Sequence, residues 1–335
     1  MNTPKMFLVA IATSLFVTSC QDESIKSLEA STINQVQLIQ PEEAFPGSNG
    51  NFKSLFYGEQ KLEVQEYNNA YILEGDILFP KEELTTNPDI TSSPAISNNT
   101  KSVGRPSKTW PNNTVFYEID RNLENQRRVT DAIAHWEANT ALRFVRRTNQ
   151  EDYIRFTTGE GCSSFIGRIG GKQDLLLHPR CSTGNTIHEI GHAVGLWHEQ
   201  SRVDRDNYII INFENIEERA KRNFNTYKQS GRDGQELTTR LDLNSIMMYG
   251  SFFFSSNGEP TIVRRDGSTF EIQRDGLSFG DIAGINQLYP ANNDICNGVS
   301  EFVSGRTYPV GSRVTYRGSL YERVVGGWTR IGECG

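Results

Sequence analysis

Residues 188–202 contain a cluster of histidines that restricts this chain more than any other part of its sequence. Only five histidines occur in the chain, and His188, His192 and His198 fall within eleven consecutive residues. On a helix, side chains four residues apart project from one face, so His188 and His192 can bind one metal ion. Gly195 lies where that helix has to end, because glycine readily adopts the left-handed conformation of a helix stop. The chain can then turn and bring His198 to the same ion.

The residue types in this cluster favour a catalytic zinc site. Three neutral imidazoles suit zinc and leave a fourth position open, whereas structural zinc sites are closed. Glu189 directly follows the first histidine and is predicted to act on a water molecule at the metal rather than on the metal itself. We therefore expect one Zn²⁺ ion held by His188, His192 and His198, with Glu189 as general base and then general acid.

Several segments resemble the astacin family of metalloendopeptidases, within the metzincin group. The stretch from His188 to Arg202 resembles the zinc signature of the family, and Ser245 to Gly250 (SIMMYG) resembles its methionine turn. Further similarity lies at residues 110–115, 161–168 and 277–289. The resemblance implies a zinc-dependent enzyme that hydrolyses internal peptide bonds of protein or peptide substrates.

The resemblance also assigns roles to individual positions. Met247 would form an apolar floor beneath the metal. Tyr249 would be an extra metal ligand that moves away to donate a hydrogen bond to the oxyanion developing on the substrate. Glu199 would anchor the new N-terminus of the processed enzyme. Asp76, within Leu73-Glu74-Gly75-Asp76, resembles the aspartate of the latency motif of the family and would ligate zinc until the enzyme is activated.

The first twenty residues resemble the signal peptide of a bacterial lipoprotein. Lys5 precedes an apolar run, from Met6 to Val17, that is too short to span a membrane. The ending Val-Thr-Ser-Cys resembles a lipobox, in which Cys20 becomes the lipidated first residue. The alternative is a plain secretory signal with an incidental cysteine. We expect an exported precursor that is held at the outer membrane or cell surface only by this lipid, and an extracellular mature enzyme.

Residues 21–101 are predicted to be a pro-segment. Residues 21–100 hold thirteen Asp or Glu against four Lys or Arg, whereas residues 101–335 hold 28 against 29. The net charge of −7 is therefore concentrated in the pro-segment, and the sequence has no basic run that would favour nucleic acid. Two strands, 61–66 and 70–79, are predicted to form a hairpin.

An activating protease is an expected partner of this pro-segment. Residues 92–108 are rich in Ser, Asn, Pro and Gly, the composition of an exposed and cleavable linker. The resemblance places the cut near Lys101-Ser102. Because Asp76 precedes that cut, processing would remove it from the metal.

Four cysteines remain once Cys20 is set aside. The resemblance implies a Cys162–Cys181 disulfide, which leaves Cys296 to pair with Cys334. The second disulfide would staple residues 295–335, which are predicted to form a small all-β module because apolar residues alternate between glycine turns.

The C-terminal module resembles the small carbohydrate-binding domains of chitinases, so a glycan is a further candidate partner. Candidates for stacking on sugar rings are Tyr308, Tyr316, Tyr321 and Trp328. The same rings can equally form the core of a tiny domain, and the sequence leaves both interpretations open.

The predicted fold is α+β, with an astacin-like catalytic domain over residues 102–294. We expect a twisted sheet from strands 114–119, 143–145 and 153–156, a helix over 125–139, and a zinc-binding helix that starts near Thr186. The alternative function is a surface glycan-binding protein with a non-catalytic zinc site. Glu189 and Tyr249 argue against it, because such a site needs neither.

Overall fold

The computed structural model describes residues 43–45, 51–57, 60–67, 70–88, 104–291, 296 and 298–334. The predicted signal peptide with Cys20, and the predicted cut at Lys101-Ser102, lie outside these residues. None of the helices in the described ranges combines the length and the hydropathy needed to span a bilayer.

The described residues form one nine-stranded sheet with the strand order β1-β2-β3-β4-β8-β9-β7-β5-β6. Its strands are β1 (Asn51–Tyr57), β2 (Gln60–Tyr67), β3 (Ala70–Leu73), β4 (Ile77–Phe79), β5 (Thr114–Ile119), β6 (Arg143–Arg146), β7 (Tyr153–Thr157), β8 (Cys162–Phe165) and β9 (Lys172–Leu177). Strands β9, β7, β5 and β6 run parallel, and β8 is antiparallel to β9. We call β1 to β4 the N-terminal meander, because each pairs antiparallel with the next.

The prediction of a single strand over residues 70–79 is wrong. The chain leaves β3 at Leu73 and re-enters the sheet as β4 at Ile77, which pairs in parallel with β8. Between them Glu74 and Gly75 have φ angles of 51° and 84°. Glycine adopts this left-handed conformation at little cost, so the backbone turns sharply and places Asp76 at the start of β4.

Within the described residues, three α-helices pack around this sheet: α1 (Arg127–Asn139), α2 (Thr183–Ala193) and α3 (Phe279–Leu288). Helix α1 buries Val129, Ile133 and Trp136 on one face, as the sequence periodicity predicts. The Trp136 indole nitrogen donates to the Ile187 carbonyl at 3.1 Å and so joins α1 to α2.

Helix α2 begins earlier than predicted, at Thr183 rather than near Thr186. Ser182 caps it, because its hydroxyl accepts a hydrogen bond from the Asn185 amide at 3.1 Å. Every residue from Gly184 to Ala193 is buried, so α2 is an internal helix rather than an amphipathic surface helix.

The remaining strands form two small sheets, one of β10 (Ile209–Ile211) with β11 (Ile262–Arg264), and one of β12 (Arg313–Tyr316), β13 (Ser319–Val324) and β14 (Gly327–Glu333). Disulfides join Cys162 to Cys181 and Cys296 to Cys334. The predictions of a mixed α and β fold and of a disulfide in the C-terminal region are confirmed.

Removing the first disulfide is expected to destabilise the chain. It closes a loop of 19 residues immediately before the cap of α2, for which loop entropy predicts about 3 kcal/mol. For a Cys162→Ser/Cys181→Ser variant we expect a melting temperature about 6 to 12 °C lower by scanning calorimetry. The control is the Cys296→Ser/Cys334→Ser variant, which makes the same two substitutions but keeps the loop before α2 closed. An unchanged main transition in the first variant would contradict the expectation.

Candidate metal centre and active site

Helix α2 and the turn after it bring the three predicted imidazoles together. His188 and His192 lie one helical turn apart, and Gly195, at a φ of 104°, turns the chain so that His198 returns toward them. All three side chains are fully buried, and their ring centroids lie 4.7 to 5.4 Å apart. Asp76 joins them, with the four potential ligand atoms all within 4.8 Å of one another.

Hydrogen bonds orient each imidazole so that its Nε2 atom points into this cluster. The Nδ1 atoms lie next to the Ile246 carbonyl at 2.7 Å, the Leu196 carbonyl at 2.8 Å and the Glu74 carboxylate at 2.8 Å, for His188, His192 and His198 in turn. Because these neighbours only accept, Nδ1 carries a proton in each ring, and Nε2 is the atom left to bind a metal once the ring is neutral.

The cluster has the donor set that a zinc ion requires. Asp76 lies against the three Nε2 atoms, at 3.3 Å from His188, 3.7 Å from His192 and 3.1 Å from His198. The His192 Nε2 atom is buried and makes no hydrogen bond to the described residues. Since a buried polar atom without a partner is costly, a metal ion among these four groups accounts for the arrangement.

The charges around the site differ from one histidine to the next. Burial lowers the pKa of His192 to about 4, which keeps its imidazole neutral. Burial also opposes the charged form of His198, but the adjacent carboxylates of Asp76 and Glu74 outweigh it and raise its pKa to about 9. Burial would raise the pKa of Asp76, yet the histidines hold it well below its usual range. Asp76 is therefore ionised, as a metal ligand must be.

Tyr249 lies beside the cluster but is engaged by the N-terminal meander. Its ring centroid is 4.5 Å from that of His198, and its hydroxyl donates to the main-chain carbonyl of Glu74. The extra-ligand role of Tyr249 stays a prediction, because in this structure its hydroxyl donates to the Glu74 carbonyl.

Met247 packs directly against α2. A Cβ atom built on Gly191 would lie only 2.7 Å from the Met247 sulfur, so this position of the helix has no room for a side chain. Met247 therefore supports the turn that carries both His188 and His192, and its carbonyl accepts from the Glu199 amide at 3.0 Å.

The two glutamates of the signature are both buried. Glu189 lies on α2 next to His188. Glu199 accepts a hydrogen bond from the Asp242 amide at 2.9 Å and lies 3.6 Å from the Arg202 guanidinium. Burial raises the pKa of Glu199 to about 8, although the Arg202 guanidinium opposes this shift. Its anchoring of a new N-terminus stays a prediction.

Glu74 and Arg232 are site residues that the sequence did not reveal. The Glu74 carboxylate accepts from His198 Nδ1 through one oxygen and from Arg232 through the other. Burial alone would raise the pKa of Glu74, but Arg232 and His198 lower it and keep the group ionised. These residues are separated by 158 positions, so no spacing pattern could have connected them.

Asp281 is a third residue missed by sequence reasoning. It accepts from the Ser245 hydroxyl at 2.6 Å and from the Ile246 amide at 2.9 Å, and so fixes the methionine turn whose Ile246 carbonyl orients His188. Ser278 and Asp281 also form the capping box of α3. That motif is visible in the sequence, but it indicates only where a helix starts.

The C-terminal module collects three of the four predicted sugar-binding rings. Tyr308, Tyr316 and Trp328 surround Phe302, with ring centroids 5.6, 5.9 and 5.8 Å from it. Tyr321 lies on the middle strand, paired with Val314. Phe302 was not among the predicted rings.

Comparison with known proteins gives the same assignment for the central region. Residues 102–290 match the family described as Astacin (Peptidase family M12A). Flavastacin of Elizabethkingia meningoseptica is 38% identical over 200 residues, which cover 56% of this chain and 43% of flavastacin. Blastula protease 10 of Paracentrotus lividus is 37% identical over 212 residues, covering 59% of this chain and 35% of that protein. The chain thus spans less than half the length of either relative.

A solved structure agrees with these matches. High choriolytic enzyme 1, a hatching enzyme zinc-protease from the medaka fish Oryzias latipes, is 36% identical and superimposes with a TM-score of 0.51. The match covers 57% of this chain and 98% of that one. With three imidazoles converging at the end of a buried helix and this family match over more than half of its length, the chain belongs to the astacin family of zinc metallopeptidases.

Proposed function

We propose that this chain is a zinc-dependent endopeptidase that is made as a latent zymogen. The observation that carries the proposal is the position of Asp76, whose carboxylate lies against the Nε2 atoms of all three histidines. That position is where a substrate carbonyl or a water molecule would have to approach. In this form the N-terminal meander, part of the proposed pro-segment 21–101, therefore blocks the reaction centre.

The chemistry follows from the residues that line the centre. A zinc ion bound by His188, His192 and His198 supplies Lewis-acid catalysis and makes water acidic enough to react near neutral pH. Glu189 accepts the proton of the attacking water and returns it to the leaving amine, which makes it general base and then general acid. Met247 and the carbonyl acceptors at Ile246 and Leu196 hold the imidazoles in place.

Tyr249 is proposed to stabilise the oxyanion once the meander has left. In this structure its hydroxyl donates a hydrogen bond to the main-chain carbonyl of Glu74. That carbonyl is an uncharged acceptor next to the metal ligands. In the processed enzyme the developing oxyanion of the substrate takes the place of that carbonyl. The same hydroxyl then contributes a hydrogen bond that is strongest in the transition state.

A Tyr249→Phe variant tests this role. We expect the processed enzyme to lose about 10²- to 10³-fold in kcat, with little change in KM, because the lost hydrogen bond forms mainly in the transition state. Fluorogenic peptide hydrolysis measures both constants. The control is Tyr153→Phe, on strand β7 and not among the groups that converge on the metal site. An unchanged kcat, with or without a rise in KM, would remove Tyr249 from the stabilisation of the transition state.

The proposed activity is tested by casein or gelatin cleavage with the processed chain. Cleavage that is abolished by a zinc chelator and restored by added Zn²⁺ supports a metallopeptidase. The second candidate is a surface protein that binds glycans and has a non-catalytic zinc site. The ring cluster around Phe302 supports glycan binding for the C-terminal module alone. A Trp328→Ala variant tests this on a glycan resin. If the variant is retained as well as the parent, sugar binding by these rings is contradicted.

Export and lipidation are proposals that rest on the sequence of residues 1–20. The lipid on Cys20 would hold the precursor at the outer membrane or cell surface, and a cut near Lys101-Ser102 by an activating protease would break the covalent link between the enzyme and that lipid. Mass spectrometry of the N-terminal peptide of the full precursor tests the lipid. A Cys20→Ser variant that stays in the membrane fraction would contradict it.

A further inference from the structure

Where the N-terminal residues contact the rest of the chain, the negative side chains lie on the N-terminal side and the positive ones on the other. We call the described residues 43–88 the pro-segment unit and residues 104–291 the catalytic unit. The pro-segment unit supplies carboxylates and the catalytic unit supplies cations, in the pairs Glu43–Arg219, Glu63–Arg222, Glu74–Arg232, Glu83–Arg105 and Glu83–Lys108. Lysines of the pro-segment unit pair within it instead, Lys53 and Lys81 with Glu66 and Lys61 with Glu63.

Arg105 is the most enclosed of these cations. Its side chain is fully buried, with Nη2 at 3.3 Å from Glu83 and Nε at 3.0 Å from Asp233. The guanidinium also lies over the Tyr57 ring, 5.2 Å from its centroid. Lys108 reaches the other oxygen of Glu83 at 2.9 Å. Both cations follow the predicted cut, so a cut at residues 101–102 leaves them on the catalytic unit.

An apolar cluster lies between the charged pairs. Ile166, Trp197 and Tyr227 of the catalytic unit pack in one buried cluster with pro-segment residues Leu55, Leu62, Val64, Leu73, Ile77, Phe79 and Leu84. The Phe79 and Trp197 rings are stacked, with centroids 6.5 Å apart. Strand β4 continues the catalytic sheet, and the Ser164 amide donates to the Asp76 carbonyl at 3.1 Å. Removal of the pro-segment unit would expose Trp197 and the edge of β8.

None of these contacts depends on the chain between residues 88 and 104. A short linker only raises the effective concentration of one unit at the other, to the order of millimolar. Cutting it converts an intramolecular contact into an ordinary binding equilibrium, and the ion pairs, the apolar cluster and the strand pairing all remain. Whether the units separate is then decided by their affinity and their concentration.

We propose that the catalytic unit has a docking surface for its own detached pro-segment. A single cut in the linker therefore yields a nicked complex that stays together and stays inhibited. Release of the active enzyme needs a second event, either dilution or a further cut within the pro-segment. This inference rests on the proposed inhibition by Asp76, because the bound pro-segment inhibits through that carboxylate.

The test uses the full chain with a recognition sequence for a site-specific protease placed within residues 92–100. After complete cutting, the sample is passed over a size-exclusion column at micromolar concentration and assayed on a fluorogenic peptide. We expect the pro-segment to co-elute with the catalytic unit, and the activity per molecule to rise about tenfold or more on dilution. Separate elution, together with full activity as soon as the chain is cut, would overturn the proposal.

Charge variants identify the surface. Glu43→Gln/Glu63→Gln/Glu83→Gln removes three of these pro-segment carboxylates and spares Glu74 and Asp76 at the metal centre. We expect this variant to dissociate at about tenfold higher concentration, with a weaker dependence on salt than the parent. The control is Glu82→Gln, an exposed neighbour of Glu83. Equal dissociation of the triple variant and the control would contradict the docking surface described here.

The two readouts separate this inference from the proposed function. An uncut chain that already hydrolyses the peptide would show that Asp76 does not inhibit. Elution of the cut chain still reports whether the units stay bound, because it does not depend on activity.

Discussion

Replacing Glu189 by Gln is expected to lower the peptidase activity of the processed chain by about 10³-fold or more. Gln is close to Glu in size and can remain in the buried position on α2, but it cannot accept a proton from water. The loss should fall on kcat, because Glu189 acts on the reacting water rather than on substrate binding. Hydrolysis of a fluorogenic peptide at saturating concentration measures it.

The control for this variant must show that the metal centre is intact. Zinc content and melting temperature of the Glu189→Gln protein should match those of the parent, because Glu189 is not one of the four groups that converge on the site. A Glu214→Gln variant tests the same substitution at a residue outside α2. Full activity in Glu189→Gln would refute the general-base mechanism, whatever the zinc content.

An Asp76→Ala variant is expected to have the second largest effect, in the opposite direction. The uncut chain should gain about 10- to 100-fold in activity, because one charge-assisted contact that blocks the three imidazoles is lost. The gain should stay below that of full processing. The reason is that Glu74 still pairs with Arg232, and its main-chain carbonyl still accepts the hydrogen bond of the Tyr249 hydroxyl.

Two controls accompany the Asp76→Ala measurement. Electrophoresis must show that the variant remains uncut during the assay, since processing alone would raise activity. An Asp131→Asn variant, on the exposed side of α1, should remain as latent as the parent. Equal and low activity in Asp76→Ala and the parent would show that the rest of the pro-segment, rather than this carboxylate, causes latency.

The sequence predicted the metal centre well because its ligands are close together in the chain. The spacing of His188 and His192 needs only the helical repeat, and Gly195 needs only its freedom to adopt a positive φ. The family resemblance added Asp76, Met247 and Tyr249, which come from distant parts of the sequence. Local pattern alone would not have brought any of these three to the site.

The parts that sequence reasoning missed depend on tertiary contacts. Glu74 reaches Arg232 only because the meander extends the catalytic sheet, and no local signal announces either residue. The break in the predicted strand 70–79 arises because Glu74 itself takes a positive φ, which residues other than glycine rarely do. Gly75 was the one local sign of that turn. The start of α2 was missed by three residues because Ser182 rather than a later residue provides the cap.

The central claim is that one zinc ion is held by His188, His192 and His198. Its most direct test is the metal content of the purified chain, measured by plasma mass spectrometry after dialysis against a trace of Zn²⁺. We expect about one zinc per chain, and none in a His188→Ala/His192→Ala variant. A parent chain that retains no zinc under these conditions, or a double variant that retains a full equivalent, would contradict the assignment.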